Sequence, residues 1–87
     1  PLFVQALGEY LNGNPGEALG LFQKATELQP ENAEAWYQLG AFDLRFRNCP
    51  RAALPELDRF TQLNPQDPSN TEYDVTLKRV NSGKPIC

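Results

Sequence analysis

Apolar residues recur three and four positions apart along most of the chain, the spacing that brings side chains onto one face of an α-helix. In the middle of the chain, Trp36, Leu39 and Gly40 place a large ring, an aliphatic side chain and a gap on such a face. The next face is formed by Ala53, Leu57, Phe60 and Leu63. Because every apolar run has helical spacing, we expect an all-helical protein with no sheet.

Proline, glycine and helix-capping residues divide this pattern into five predicted helices. Their bounds are Leu2 to about Asn12, Pro15 to just before Pro30, Ala33 to about Arg47, about Pro50 to Leu63, and a last helix between Ser69 and Gly83. Asn14 and Asn32 are predicted N-caps, and Ser69 with Glu72 has the spacing of a capping box. Pro55 predicts that the fourth helix starts late or bends.

The chain also repeats itself at a constant offset of 35 residues. Residues 18–30 align with 53–65, and the identical pairs are Ala18/Ala53, Leu19/Leu54, Thr26/Thr61, Leu28/Leu63 and Pro30/Pro65. Upstream, Gly13 aligns with Asn48, the two residue types that best tolerate a left-handed helix end, and Pro15 aligns with Pro50. The repeated unit is therefore a helix, a tight turn and a second helix.

The order of Trp36, Leu39, Gly40, Ala53 and Pro65 resembles the tetratricopeptide repeat, whose period is about 34 residues. The resemblance implies an all-α fold: a short right-handed α-solenoid of two helix-turn-helix repeats plus a capping helix, five helices in all. We expect a degenerate first repeat at 1–32, a second repeat at 33–67, and a capping helix with a tail at 68–87.

Several packing expectations follow from this arrangement. Trp36 should be largely buried, so that Trp36→Ala costs about 3–5 kcal/mol. The second helix should pack through the face formed by Ala18, Leu21, Phe22, Ala25 and Leu28. The last helix should cover Leu57, Phe60 and Leu63 with a stripe of Tyr73, Thr76, Leu77 and Val80. The tail from Gly83 to Cys87 should matter little, because it is short and terminal.

Asp43 stands where the repeat pattern usually has a packing group. The favoured interpretation is an ion pair with Arg47, four residues later, or with Arg59 across the hairpin. A buried functional acid is the weaker alternative, since nothing nearby in the sequence would make it a catalyst.

Composition narrows the class of protein. The formal charge of −3 with scattered basic residues disfavours nucleic acid as a partner, and no apolar run is long enough for a membrane span. Cys49 and Cys87 have neither a framework nor a metal-binding spacing, so we expect two separate thiols in a reducing compartment. With no signal peptide in this stretch, the cytoplasm is favoured.

Catalytic chemistry finds little support in this sequence. The chain has no histidine, the commonest general base and metal ligand. It also has no nucleophile elbow, no phosphate-binding loop and no Cys-x-x-Cys pair. We expect no enzyme activity, no metal and no cofactor.

The resemblance implies instead that the first helix of each repeat lines a concave groove that binds a protein or peptide partner. The predicted groove residues are Phe3, Ala6, Tyr10, Glu34, Tyr37, Gln38, Ala41, Arg45 and Tyr73. The same alignment adds, at its margins, Leu2, Ser69, Glu72 and Thr76. Tyrosine and arginine are enriched at binding hot spots. The family's basic clamp for a C-terminal carboxylate is not matched here.

Two alternatives stay open at this point. The chain could be a self-associating homo-oligomer or a structural subunit of a multiprotein complex, because two repeats fall short of the roughly three that usually stand alone. A period of 35 also fits the RNA-binding pentatricopeptide repeats. The Trp36, Leu39 and Gly40 pattern and the negative charge speak against RNA.

Overall fold

A computed structural model describes residues 1–83 and residue 87. The five helices are α1 (Leu2–Leu11), α2 (Pro15–Leu28), α3 (Ala33–Ala41), α4 (Pro50–Leu63) and α5 (Thr71–Asn81). A π-helical turn, Phe42–Phe46, continues α3, and a 3-10 turn, Pro68–Asn70, precedes α5. The described residues contain no strand. The predicted all-α helical-repeat fold is confirmed. The domain boundaries stay predictions, and residues 84–86 of the expected tail lie outside the described residues.

The first four helices pack as two antiparallel hairpins, and the fifth helix packs on the second hairpin. α1 lies against α2, α3 lies against α4, and contacts between α2 and α3 join the two hairpins. α5 packs on α4. This is the arrangement expected when a helical hairpin cannot bury its apolar face alone and a neighbour completes the core.

Local sequence signals explain the turns. Gly13 and Asn48 have positive φ angles of 84° and 51°, and Pro15 and Pro50 each open a helix. The Asn32 side chain accepts a hydrogen bond from the Glu34 backbone N–H at 3.1 Å, which caps α3. The turn from Gly13 to Pro15 and the turn from Asn48 to Pro50 therefore correspond to each other, as the 35-residue offset predicts.

The core has two parts that meet at α3. The first core cluster consists of Ala6, Ala18, Phe22, Leu39 and Phe42. The second core cluster consists of Leu44, Ala53 and Leu57, with Tyr37 and Tyr73 packed against it. Thr76 of α5 is fully buried, and its hydroxyl donates to the Glu72 carbonyl at 2.7 Å.

Trp36 lies outside both clusters and is only partly buried. Its indole N–H donates to the Pro30 carbonyl at 2.8 Å, so the ring anchors the loop before α3. The expectation of a largely buried Trp36 is met only in part, because the side chain is partly buried and belongs to neither core cluster. The stability loss for Trp36→Ala stays a prediction.

Two smaller expectations also fail, and one alternative is excluded. α4 begins at Pro50 and runs through Pro55, so a late start is excluded and the expected bend near Pro55 stays a prediction. Asp67, not Ser69, caps the turn before α5 by accepting from the Ser69 N–H at 2.8 Å, and the predicted capping box does not form. Leu28 is exposed at the end of α2 instead of packing.

Cys49 and Cys87 form a disulfide. The expectation of two separate thiols is wrong. The expectation that the tail matters little stays a prediction, and the crosslink at Cys87 speaks against it. Sequence spacing could not show this pairing, because the two residues are 38 positions apart and meet only through the packing of α4 and α5. Since disulfides persist mainly in oxidising compartments, the cysteines no longer argue for the cytoplasm.

Gly40→Ala tests the close approach of α3 and α4. A Cβ atom at Gly40 would lie 2.6 Å from Leu57 Cδ2 and 2.8 Å from Leu57 Cγ, and Leu57 is itself buried. We expect the free energy of unfolding to fall by about 1–3 kcal/mol. The control is Gly20→Ala in α2, where a Cβ meets open space, and it should stabilise by about 0.5–1 kcal/mol. Equal effects in urea melts would contradict the close approach.

Reduction of the disulfide should lower stability. The crosslink spans 38 residues, and the loop-closure entropy removed from the unfolded chain corresponds to about 4 kcal/mol. Urea melts of the oxidised and fully reduced chain, with thiol content titrated in each sample, measure this difference. If the two melts coincide, the disulfide is absent or carries no stability.

Candidate functional site

The π-helical turn at the end of α3 shapes the most distinctive surface of the molecule. Residues Phe42–Phe46 follow α3 without a break, although a regular helix to about Arg47 is the sequence expectation. A π-helical turn carries more residues per turn than an α-helix and is common at functional sites. Here it contributes Phe42, Arg45 and Phe46 to one cavity.

This cavity, called the aromatic cavity below, has a volume of about 170 Å³ and opens between α1 and α3. Its lining consists of Leu7 and Tyr10 of α1, Phe22 of α2, Gln38 and Ala41 of α3, and the three π-turn residues. Most of these side chains are apolar, and the polar groups are few, which is the usual composition of a binding pocket.

Three aromatic rings pack against one another at the cavity. The Tyr10 ring lies edge-on to Phe42 and Phe46, with centroid distances of 5.6 Å and 5.1 Å, and the two phenylalanine rings stack at 5.1 Å. Phe42 is buried, whereas Tyr10 and Phe46 remain 38% and 48% exposed. Phe42 therefore forms the buried base of the three rings, and Tyr10 and Phe46 form their exposed rim.

Arg45 connects the aromatic cavity to α5. It forms an ion pair with Glu72, and its side chain is still 58% exposed. A hydrogen bond with Tyr37, together with the hydrogen bond and charge of Glu72, raises the pKa of Arg45 further above its already high ordinary value. The guanidinium is therefore tied to α5 by Glu72 while it also lines the aromatic cavity.

The structure brings together part of the predicted groove. Tyr10, Gln38, Ala41 and Arg45 all line the aromatic cavity. Glu34 is exposed one turn earlier on α3, and its carboxylate accepts from the Gln38 side-chain amide at 2.8 Å. Ala41 is itself buried and forms part of the cavity wall, whereas Tyr10, Glu34 and Arg45 are exposed.

The remaining predicted residues take other positions. Tyr37 and Tyr73 pack against the second core cluster, and the Tyr37 ring lies 5.0 Å from that of Phe60. Phe3 packs against the first core cluster. Ala6 is fully buried and offers a partner no surface, so we leave it out of the proposed site; Thr76, from the margin of the prediction, is likewise fully buried.

Four residues of the aromatic cavity were absent from the sequence-based prediction: Leu7, Phe22, Phe42 and Phe46. Phe42 and Phe46 could have been noticed, since two aromatic residues four apart near the end of a helix form a neighbouring pair. Their contact with Tyr10 depends on the distance between α1 and the π-helical turn, which no local pattern reports.

Asp43 lies behind this surface in a small polar cluster. It is buried and accepts from Arg47 Nη1 at 2.7 Å, which confirms the predicted ion pair; Arg59 instead pairs with Glu31. Glu56 of α4 joins from the other side. Burial, followed by a hydrogen bond to Asp43 and the negative charge of Asp43, raises the pKa of Glu56 to about 9, against a smaller lowering by Arg47.

The Glu56 carboxyl is therefore protonated near neutral pH. Its Oε1 atom is buried and has no hydrogen-bond partner within the described part of the chain. Among residues 1–83 and 87, no group of three or more potential ligands could hold a metal ion. The cluster is a buried polar contact between the π-helical turn and α4.

Taken together, the hairpins and the cavity define a helical-repeat protein with an aromatic cavity. Residues 21–42 match the family model of the tetratricopeptide repeat, from the middle of α2 to the first residue of the π-helical turn. This stretch of the chain is therefore similar to a tetratricopeptide repeat, which confirms the resemblance there. The match covers about a quarter of the chain, so the number of repeats stays a prediction.

No curated protein and no solved structure matches the chain significantly. Tetratricopeptide repeats generally mediate contacts between proteins and are generally non-catalytic. None of the helices among the described residues is long and apolar enough to cross a membrane.

Glu56→Gln tests the protonation of the buried carboxyl. A carboxyl whose pKa rises from 4.5 to about 9 on folding contributes stability that is present below pH 4.5 and is lost as pH rises towards 9. The parent protein should therefore lose about 1–3 kcal/mol relative to Glu56→Gln over two pH units inside this window.

Urea melts across this pH range measure the effect. Glu27→Gln, which changes an exposed carboxyl in α2, is the control and should reproduce the pH profile of the parent protein. Parallel profiles for the parent and Glu56→Gln would mean that Glu56 ionises in the folded protein as it does in the unfolded chain.

Proposed function

We propose that the chain is a non-catalytic module that binds a polypeptide segment of a partner protein, and that an apolar side chain of this segment enters the aromatic cavity. The observation that carries the proposal is the cavity itself, where Tyr10, Gln38, Ala41 and Arg45 of the predicted groove meet the exposed rim of Phe46. The general role of tetratricopeptide repeats in protein contacts supports it.

The dimensions of the cavity favour one large side chain. Its volume of about 170 Å³ is close to the roughly 150 Å³ that accommodates a benzene ring in an engineered protein cavity. A partner could therefore insert one leucine, isoleucine or phenylalanine side chain. Exposed aromatic rings around the mouth would then exclude water from the contact, as they do at binding hot spots.

Polar groups near the mouth suit a polypeptide backbone. Gln38 and the Tyr10 hydroxyl offer both donors and acceptors, which can fix the orientation of a segment that passes over the cavity. Strand pairing is not available, because the described residues present no sheet edge. Binding would depend on side chains, and we expect a Kd on the order of micromolar for so short a groove.

The absence of catalytic activity belongs to this proposal as well. The chain has no histidine. The most perturbed carboxyl, Glu56, faces Asp43 and Arg47 rather than the aromatic cavity. The net charge of −3 also makes a phosphate backbone an unfavourable partner.

Self-association is the second candidate function. Val4 and Leu11 lie seven residues apart on α1 and are both exposed, with 79% of Leu11 accessible. Leu28 of α2 is exposed as well. Sedimentation over a wide concentration range separates the two functions, because a monomer at all concentrations excludes a stable homo-oligomer.

Phe46→Glu should abolish partner binding by placing a charge at the rim of the aromatic cavity. Phe46 is a better choice than Tyr37, which contacts Phe60 in the core. Val75→Glu is the matched control: Val75 is 55% exposed and lies on α5, away from the cavity lining. Peptides selected from a random phage-displayed library on the parent protein provide the probe.

We expect Phe46→Glu to weaken binding at least tenfold, or about 1.4 kcal/mol, while Val75→Glu binds like the parent. Circular dichroism verifies that both variants remain helical. Equal binding by Phe46→Glu and the parent would move the binding site away from the aromatic cavity.

A further inference from the structure

We propose that the partner segment carries a carboxylate next to the apolar side chain that enters the aromatic cavity, and that Arg45 binds this carboxylate. This inference rests on the proposed function and adds the chemistry of the partner. It concerns a residue that lies at the junction of the cavity, α3 and α5.

The lining of the aromatic cavity contains one charged side chain, that of Arg45. The other seven residues that line it are neutral. A partner that fills this cavity therefore meets a single positive charge at its edge. A cationic group would be repelled there despite the aromatic rings, whereas an anionic group would be attracted.

Arg45 is held in place, but its contacts do not occupy all of its hydrogen-bond donors. Its Nη2 group donates to Glu72 Oε1, and Tyr37 provides another hydrogen bond. A guanidinium has five N–H donors in a fixed fork, so donors remain after these two contacts. More than half of the side chain is exposed to solvent, where a second carboxylate can reach it.

The contacts with Glu72 and Tyr37 also reduce the cost of binding. A free arginine side chain loses rotamer freedom when it is immobilised by a ligand. Arg45 is already oriented by its ion pair with Glu72 of α5. Glu72 has an opposing effect as well, because it neutralises part of the charge that a partner carboxylate would meet.

Glu72→Gln separates these two roles of Glu72 and gives the proposal a test with a defined sign. The glutamine keeps a hydrogen-bonding side chain that can still orient Arg45, and only the opposing negative charge is removed. If Arg45 binds a partner carboxylate, this variant should bind an acidic peptide more tightly than the parent does, by about three- to tenfold. If the pair only ties α3 to α5, the variant should bind equally or more weakly.

The probes are synthetic versions of a peptide selected on the parent protein from a random phage-displayed library. The selected sequences should share a large apolar residue with an aspartate or glutamate within about four residues of it, one helical turn. Versions with glutamate, glutamine or lysine at the acidic position measure the charge preference. Amidated and free C-termini distinguish a side-chain carboxylate from a terminal one.

Arg45→Gln combined with Glu72→Gln removes both charges together and leaves no unpaired charge behind. This double variant should lose the preference for glutamate over glutamine but still require the apolar residue. The parent should prefer the glutamate peptide by about three- to tenfold. Should the double variant fail to fold, the Glu72→Gln comparison stands by itself.

The outcomes separate the two proposals. Equal affinity of the parent for the glutamate and glutamine peptides would overturn the role of Arg45 and leave the apolar site intact. Weaker or unchanged binding of the acidic peptide by Glu72→Gln would also overturn it. If selection enriches no peptide at all, the proposed function fails and this inference fails with it.

Discussion

Packing of α3 from both sides is the constraint on which the rest of the structure depends. Residues 39–44 are all buried, an unbroken run that a helix with one solvent-facing side would not show. Leu39 and Phe42 belong to the first core cluster and Leu44 to the second. α4 can approach α3 because Gly40 leaves space for Leu57. The aromatic cavity is what remains open between α3 and α1.

Features that depend on local backbone chemistry could be predicted from the sequence. Each of these features follows from one residue type at one position. They are the positive φ angles at Gly13 and Asn48, the helix starts at Pro15 and Pro50, and the Asn32 cap. Other features depend on distances between helices. These are the Trp36 environment, the Cys49–Cys87 bond and the raised pKa of Glu56, which residue spacing does not report. The capping box expected at Ser69 and Glu72 is a local feature that also failed, because Asp67 caps that turn instead.

The candidate site, like the fold, could be predicted from the sequence only in part. Helical spacing places Gln38 and Ala41 on one face of α3, and the 35-residue offset adds Tyr10. Arg45 was predicted as well, although it lies in the π-helical turn, and all four residues line the aromatic cavity. The π-helical turn is the reason that other residues of the site could not be predicted. It changes the directions of side chains after Ala41, so a regular helical period cannot place Phe46 beside Tyr10. The predicted tyrosine surface is therefore divided between the cavity and the second core cluster.

α5 is held by contacts of different kinds, and this bears on how Arg45 can serve both the fold and a partner. Thr76 is buried in the core, Arg79 donates to the Asn48 side chain at 3.0 Å, and the disulfide fixes the chain end beyond α5. An ion pair as exposed as Arg45–Glu72 contributes only about 0.2–1 kcal/mol. Losing or sharing this ion pair therefore changes the free energy of unfolding by less than losing buried apolar contacts would. The change is also small compared with the roughly 4 kcal/mol expected from the disulfide. The proposed sharing of the guanidinium between Glu72 and a partner carboxylate is therefore compatible with α5 staying in place.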